Sequence, residues 1–210
     1  MDDADHEAAR RELVAGLRRR LDVDERTLAA IESVPRHEFV PERHGSRAYA
    51  DRPLPIGHDQ TISAPHMVAV MTDLLDVGPG DRVFEVGTGC GYHAAVVAEI
   101  VGPGNVYSVE YVPELAEAAR ERLQRLGYDV TVRAGDGRTA FPDEARFDAA
   151  YLTCAPADGI PDQIVDRVRS GGRVVGPVGR AGTQRLVRLT VGEESVDRED
   201  HGGVRFVPMQ

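Results

Sequence analysis

From Val83 onward the chain alternates short apolar runs with amphipathic ones, and this alternation restricts the fold more than any other feature. "RVFEVG" reads as a short buried strand and "YHAAVVAEIV" as a helix; "NVYSVE" and "PELAEAARERLQRLG" repeat the pair, the second helix closing at Gly127. "DVTVRAGD", "FDAAYLTC", "IPDQIVDRVRSGG" and "RVVGPVG" continue it as strand, strand, helix and strand. Strands alternating with helices specify a mostly parallel, doubly wound sheet, because a parallel crossover needs a long connection and a helix supplies it. "TQRLVRLTV" and "GGVRFVP" follow with no helix between them, so they are expected as antiparallel strands completing a seven-stranded α/β sheet.

Upstream, Leu13, Val14, Leu17 and Leu21 share one helical face, and Leu28, Ile31 and Val34 a second that stops before Pro35. Residues 35–62 are rich in Pro and Gly without a period, which predicts an irregular, packed loop. Met67, Val70, Met71, Leu74 and Leu75 then mark an amphipathic helix opening near Ser63. No linker divides the chain. One domain is expected over 1–210, with N-terminal helices and a loop through residue 68 leading into a core over 69–210.

No apolar run approaches the ~20 residues of a membrane span. The acidic start "MDDADHEAARRELV" lacks the basic-then-apolar order of a secretory signal, so a cytoplasmic location is expected. Every one of the 25 cations is Arg, set against 35 carboxylates for a net charge of −10. Such a surface disfavours nucleic acid and anionic membranes, which need clustered cations, and suits a salt-rich cytoplasm that screens self-repulsion. Two cysteines, Cys90 and Cys154, form neither a disulfide framework nor a four-ligand zinc site. His58 and His66 lack a third ligand at suitable spacing, so no metal is expected.

"VFEVGTGCGYHAAV" joins a strand to a helix through Gly87, Gly89 and Gly91, a turn over which a ligand can lie close to the backbone. A dinucleotide site shares this feature, but Glu85 just before the first glycine would repel a diphosphate and favour a cation. The amino group or sulfonium of S-adenosyl-L-methionine is such a cation. Glu110 ends the next strand, 23 residues after Gly87, where its carboxylate could accept both ribose hydroxyls. Asp136 in "AGDG" follows the third strand and could accept from an adenine amino group. Three acids at the carboxyl ends of three successive strands fit an adenosylmethionine crevice.

On these residues the core resembles the Rossmann-like class I S-adenosylmethionine-dependent methyltransferases. With "VPRHEFVPE", "AYADRPLPIG", "QTISAPHM", "GDGR" and "GGVRFVP", the chain from about Ser33 to Pro208 resembles the protein-L-isoaspartate O-methyltransferase family. The resemblance implies methylation of the free carboxyl of isoaspartyl residues in proteins and peptides, and a monomer is expected. It implies a loop containing Gln60 and Thr61 that closes over the cofactor, and Ile62, Ser63 and His66 against the substrate. It also adds Thr88, Tyr111, Gly137 and Thr153 to the cofactor contacts. Three departures stand out: Asp59 beside a site for an anion, Cys90 in the glycine turn, and "TCAPADGIP" in place of an Ala-rich stretch. If the first and fourth core strands are neighbours, Cys90 and Cys154 lie close; cytosolic redox conditions argue against a bond between them.

Ser63 invites three roles: nucleophile, substrate contact, or helix N-cap. Methyl transfer to an ionised carboxylate needs neither a general base nor a protein nucleophile, since the acceptor is charged at neutral pH and the donor is activated. Positioning and desolvation are the enzyme's tasks. Ser63 is therefore expected both to cap the helix and to orient the acceptor, with the helix start attracting one carboxylate oxygen. The competing readings are a methyltransferase for RNA or a small molecule, and a non-catalytic adenosylmethionine-binding protein.

Overall fold

Two helices, α1 (Asp3–Arg20) and α2 (Glu25–Ser33), open the computed structural model, which describes residues 3–141 and 146–210. The Asp24 side chain caps α2 by accepting the Arg26 N–H. Val14, Leu17, Leu28 and Ile31 are buried and join one core cluster. Residues 35–62 are more ordered than their sequence suggests. They hold two 3-10 turns, Arg36–Phe39 and Glu42–Arg47, and a hairpin of β1 (Leu54–Gly57) and β2 (Gln60–Ile62). His58 and Asp59 form its turn with φ of 50° and 57°, the two successive left-handed residues that a tight hairpin loop requires. Strands of four and three residues are too short to show a period, which is why the expectation was an irregular loop.

After α3 (Pro65–Leu75) come β3 (Val83–Val86), α4 (Tyr92–Val101), β4 (Val106–Glu110), α5 (Pro113–Arg125) and β5 (Val130–Ala134). β6 (Phe147–Leu152), α6 (Asp162–Val165), β7 (Val168–Val178), β8 (Arg185–Val191) and β9 (Val196–Gly203) complete the chain. The seven-stranded sheet runs β5-β4-β3-β6-β7-β8-β9. All pairings from β5 to β7 are parallel and the last two antiparallel. The chain leaves β3 towards one edge and returns to β6 on its other side, so a crevice opens beyond the carboxyl ends of the central strands.

Neighbouring residues on each strand point to opposite faces. Val83, Ala149, Tyr151 and Val175 enter the core shared with α1 to α4, while Phe84, Val86, Ala150, Leu152 and Val174 enter a second core. Burial on both faces explains why these strands read as unbroken apolar runs.

Two elements differ from expectation. The helix expected over "IPDQIVDRVRSGG" is only four residues long, because β7 begins at Val168. At Gly172, inside β7, a Cβ would collide with the Asp148 carbonyl and Val168. The last strand is also not "GGVRFVP" but β9, "VDREDHGG", an almost wholly exposed edge strand with no apolar alternation to reveal it. Residues 204–209 instead run back along the molecule. The Ala155 N–H donates to the Val207 carbonyl (2.8 Å) and the Met209 N–H to the Ala155 carbonyl (2.9 Å). The Gln184 amide brackets Phe206, donating to its carbonyl (3.0 Å) and accepting from its N–H (2.6 Å).

Candidate active site

The crevice is walled by the β3–α4 turn, the ends of β4 and β6, β2, and the tail from Val207 to Gln210. Of the predicted residues it brings together Gln60, Thr61, Ile62, Ser63, Glu85, Gly87, Thr88, Gly89, Glu110, Tyr111, Gly137 and Thr153. Gly91 sits just behind, as the N-cap of α4.

Gly87 has φ of +100°, and a Cβ there would strike the Thr153 hydroxyl, which donates to the Gly87 carbonyl (2.5 Å). The turn is therefore pinned to the end of β6. Its other anchor is Glu110, whose two oxygens accept the N–H groups of Gly89 (2.8 Å) and Val112 (3.0 Å). Each carboxylate oxygen has a second acceptor site left for a ligand hydroxyl.

Glu85 is fully buried. Its Oε2 accepts the Ser108 hydroxyl, itself bonded to Thr88 (2.5 Å), while Oε1 has no hydrogen-bond partner among the described residues. Burial pushes its carboxyl up to about 8, the nearby hydroxyls of Ser108 and Tyr151 offsetting only part of that and Glu110 adding to it. His93, beside it in the wall, is held down to about 3 by burial and donates or accepts only as a neutral ring, with Thr72 (3.0 Å). An unpartnered carboxylate oxygen on a crevice wall, in surroundings that resist its ionisation, fits a cationic ligand group. Such a group would restore the charge that burial suppresses.

Three expectations need correction in detail. Ser63 is not the cap of α3. Pro65 takes the first helical position, so Ala64 is the capping residue, with no side-chain cap bond. The helix start is already served by Asp51, whose Oδ1 accepts the His66 N–H (2.9 Å), so it is not an open anion site. The Ser63 hydroxyl bonds to none of the described residues, and Ser63 lies on the crevice wall. His66 does not line the crevice: its Nδ1 meets the same Asp51 oxygen (2.9 Å). Burial raises the Asp51 carboxyl, but the bonds from His66 and Arg20 outweigh it and hold it below the usual range. Asp136 also turns away from the crevice. Arg138 binds both its oxygens, lowering its pKa, and only its neighbours Gly135 and Gly137 reach the wall.

Asp59 is exposed at the hairpin tip, where Asp tolerates left-handed backbone, so it does not confront an anion in the site. Cys90 and Cys154 both line the crevice as free thiols. Burial pushes Cys154 up to about 12, with Glu110 adding to it, so this thiol stays protonated.

Sequence reasoning missed the contribution of residues 207–210, which enter only because the tail folds back, and of Tyr92 and His93, which read simply as the start of a helix. It also missed Arg36. This guanidinium is wholly buried and donates from Nε to the Ala48 carbonyl (2.9 Å) and from NH2 to the Ser63 carbonyl (2.8 Å).

A glycine turn between the first core strand and its helix, an acid ending the second strand, and a crevice at the sheet's switch point define a class I methyltransferase. The comparisons narrow this. The chain belongs to the protein-L-isoaspartate(D-aspartate) O-methyltransferase family, whose model matches residues 8–210. Protein-L-isoaspartate O-methyltransferase 2 of Archaeoglobus fulgidus is 50% identical over 209 residues, covering 98% of this chain and 94% of that one. A solved protein-L-isoaspartate O-methyltransferase superposes with a TM-score of 0.85 at 27% identity, covering 95% of this chain and 65% of that longer one. A Plasmodium falciparum relative, solved in complex with S-adenosyl-L-homocysteine, gives 0.81 at 25% identity and covers 98% of each chain. The protein is thus a methyltransferase with S-adenosyl-L-methionine as its cofactor and the function of a protein-L-isoaspartate O-methyltransferase. Among the described residues no helix is long and apolar enough to cross a membrane, and no group of three or more metal-ligating side chains occurs.

Proposed function

We propose that this protein methylates the free carboxylate of isoaspartyl residues in proteins and peptides, with the acceptor held at Ser63 and the donor on the glycine turn. S-adenosyl-L-methionine supplies a methyl group already activated on a sulfonium. Glu110 would hold the ribose hydroxyls with the acceptor sites its backbone bonds leave open. Glu85 Oε1 would face the amino group of the methionine portion. Gly87, Gly89 and Gly137 let the ligand lie against backbone, and Tyr111 and Thr153 complete the wall.

The observation that carries the acceptor assignment is Ser63: a hydroxyl without a partner among the described residues, on the same crevice wall as the glycine turn. Donating a hydrogen bond to one carboxylate oxygen, it would aim the other at the methyl group. No proton need move, because the acceptor is already ionised. The hairpin carrying Gln60 and Thr61 and the tail at Val207–Gln210 flank the mouth and would exclude water as the two charges meet. Methoxide leaves the resulting ester more readily than an oxygen leaves the ionised carboxylate, so the backbone nitrogen can close a succinimide with loss of methanol, and water then opens that ring to return part of the residue to normal aspartate.

Labelled adenosylmethionine offered with an isoaspartyl peptide and its normal aspartyl twin tests this. Base-labile label is expected on the first peptide alone; label on neither, or on both, overturns it. Ser63→Ala is expected to lower turnover by about 100-fold, the scale for a lost positioning contact, with adenosylmethionine affinity within about twofold of wild type. Full turnover in that variant would remove the Ser63 assignment.

A further inference from the structure

Among the described residues Arg36 is the largest fully buried side chain, and its charge has no counter-ion there. Its Nε and NH2 are spent on two carbonyls, Ala48 and Ser63, and NH1 is buried without a partner. The guanidinium lies 4.7 Å from the ring centroid of Tyr92, the neutral side chain that does most to offset the cost of burying its charge. No carboxylate of the described residues forms an ion pair with it. Asp51 faces it only from beyond salt-bridge distance, with both oxygens engaged by His66 and Arg20. Burying an unpaired cation costs several kcal/mol, and folds ordinarily avoid it by pairing the charge or replacing it. Here the charge lies behind the wall formed by Ser63, Cys90 and Tyr92, all three of which line the crevice.

We propose that Arg36 is a positioning and specificity residue, fixing the Ser63 turn through its carbonyl and supplying the positive charge that selects an anionic acceptor over its neutral amide. The inference rests on the assignment of the acceptor to Ser63. Its physical basis is that a fixed charge within a residue's length of the acceptor, screened from water, acts in a low effective dielectric. Affinity for S-adenosylhomocysteine, whose sulfur is neutral, should be indifferent to it, since Arg36 makes no bond to the glycine turn, Glu85 or Glu110.

The test compares binding of an isoaspartyl peptide with its isoasparaginyl twin, in which a carboxamide replaces the acceptor carboxylate, in the presence of S-adenosylhomocysteine. Wild type is expected to prefer the charged peptide. Arg36→Met should reduce that preference about tenfold while leaving S-adenosylhomocysteine affinity within about twofold. Arg36→Lys keeps the charge but loses the planar fork, so it should keep the preference and lower kcat instead. An unchanged preference in folded Arg36→Met overturns the proposal, as does Arg36→Lys with wild-type kcat and KM. If Arg36→Met does not fold, Arg36→Gln, which retains one amide donor for the carbonyls, takes its place; if neither folds, the Arg36→Lys result decides. Ser63→Ala, which preserves the carbonyl Arg36 holds, runs alongside. Full turnover there would refute the Ser63 assignment itself, whereas the expected loss there with an unchanged preference in Arg36→Met or Arg36→Gln would refute Arg36 alone.

Discussion

The two walls of the crevice, proposed above as the donor wall and the acceptor wall, are built on different plans. The donor wall comes from consecutive strand–turn–helix units: Glu85, the glycine turn and Glu110 lie at the ends of paired parallel strands, their register fixed by the ladder of β3 with β4. The acceptor wall is gathered from far apart in the chain. Arg36 comes from a 3-10 turn and Asp51 from the loop after a second; Ser63 follows a short hairpin, and Val207 belongs to the returning tail. The donor wall hangs on the strand ladder, with Thr153 and Glu110 pinning its turn, whereas the acceptor wall has no ladder beneath it beyond a short hairpin and is held by side chains that bond to backbone across 15 to 27 residues. The difference teaches that one half of the site is a property of the sheet and the other of a few buried polar anchors.

Breaking the donor wall should cost most. Gly87→Ala forces a Cβ against Thr153 in a left-handed backbone, which should destabilise by about 1–3 kcal/mol and abolish adenosylmethionine binding, read by denaturant unfolding and calorimetry. Retained binding would show that the turn can shift away from β6. On the acceptor wall, Asp51→Asn removes the charge that holds His66 and Arg20. An expected loss of about 1–3 kcal/mol in stability and a several-fold rise in peptide KM, at unchanged adenosylmethionine affinity, would keep the two walls separable. A parallel fall in cofactor affinity would join them.

Glu85 offers a sharper probe of the donor wall. Its folded pKa of about 8 exceeds the unfolded value, so the folded protein without donor binds the extra proton. Stability from this group is therefore complete below the unfolded pKa and falls as pH rises from there towards 8. A cationic ligand prefers the ionised carboxylate, so adenosylmethionine affinity should rise about tenfold between pH 6 and 7, and Glu85→Gln should flatten the slope. A pH-independent wild-type affinity would remove Glu85 from the amino-group contact. The smallest effects belong to the periphery. Asp59→Asn keeps a residue that tolerates the hairpin's left-handed backbone and should leave kcat/KM within about twofold. Potassium chloride should raise Tm by about 2–4 °C as the net charge of −10 is screened, and maximal stability in dilute buffer would contradict that.

Legibility in the sequence follows the same division. The alternation after Val83 specified the parallel sheet, and the spacing of Glu85, Gly87, Gly89 and Glu110 specified the donor wall, because strand ends and turns are local in sequence. Ser63 was singled out by its surrounding motif, but its local chemistry suggested a cap, a role that Pro65 passes to Ala64. Asp136 and His66 carried suggestive positions, yet each is bound to a partner, Arg138 and Asp51, that no periodicity indicates.

By itself the sequence determined the layer architecture and the strand, glycine turn and helix start on which the crevice is built, since each follows from apolar period and glycine placement within about 30 residues. Tertiary structure alone decided what surrounds Ser63. Whether an arginine 27 positions upstream is exposed or buried depends on packing between elements, and so does the path of a tail after an all-polar edge strand. Neither leaves a periodic trace in the chain.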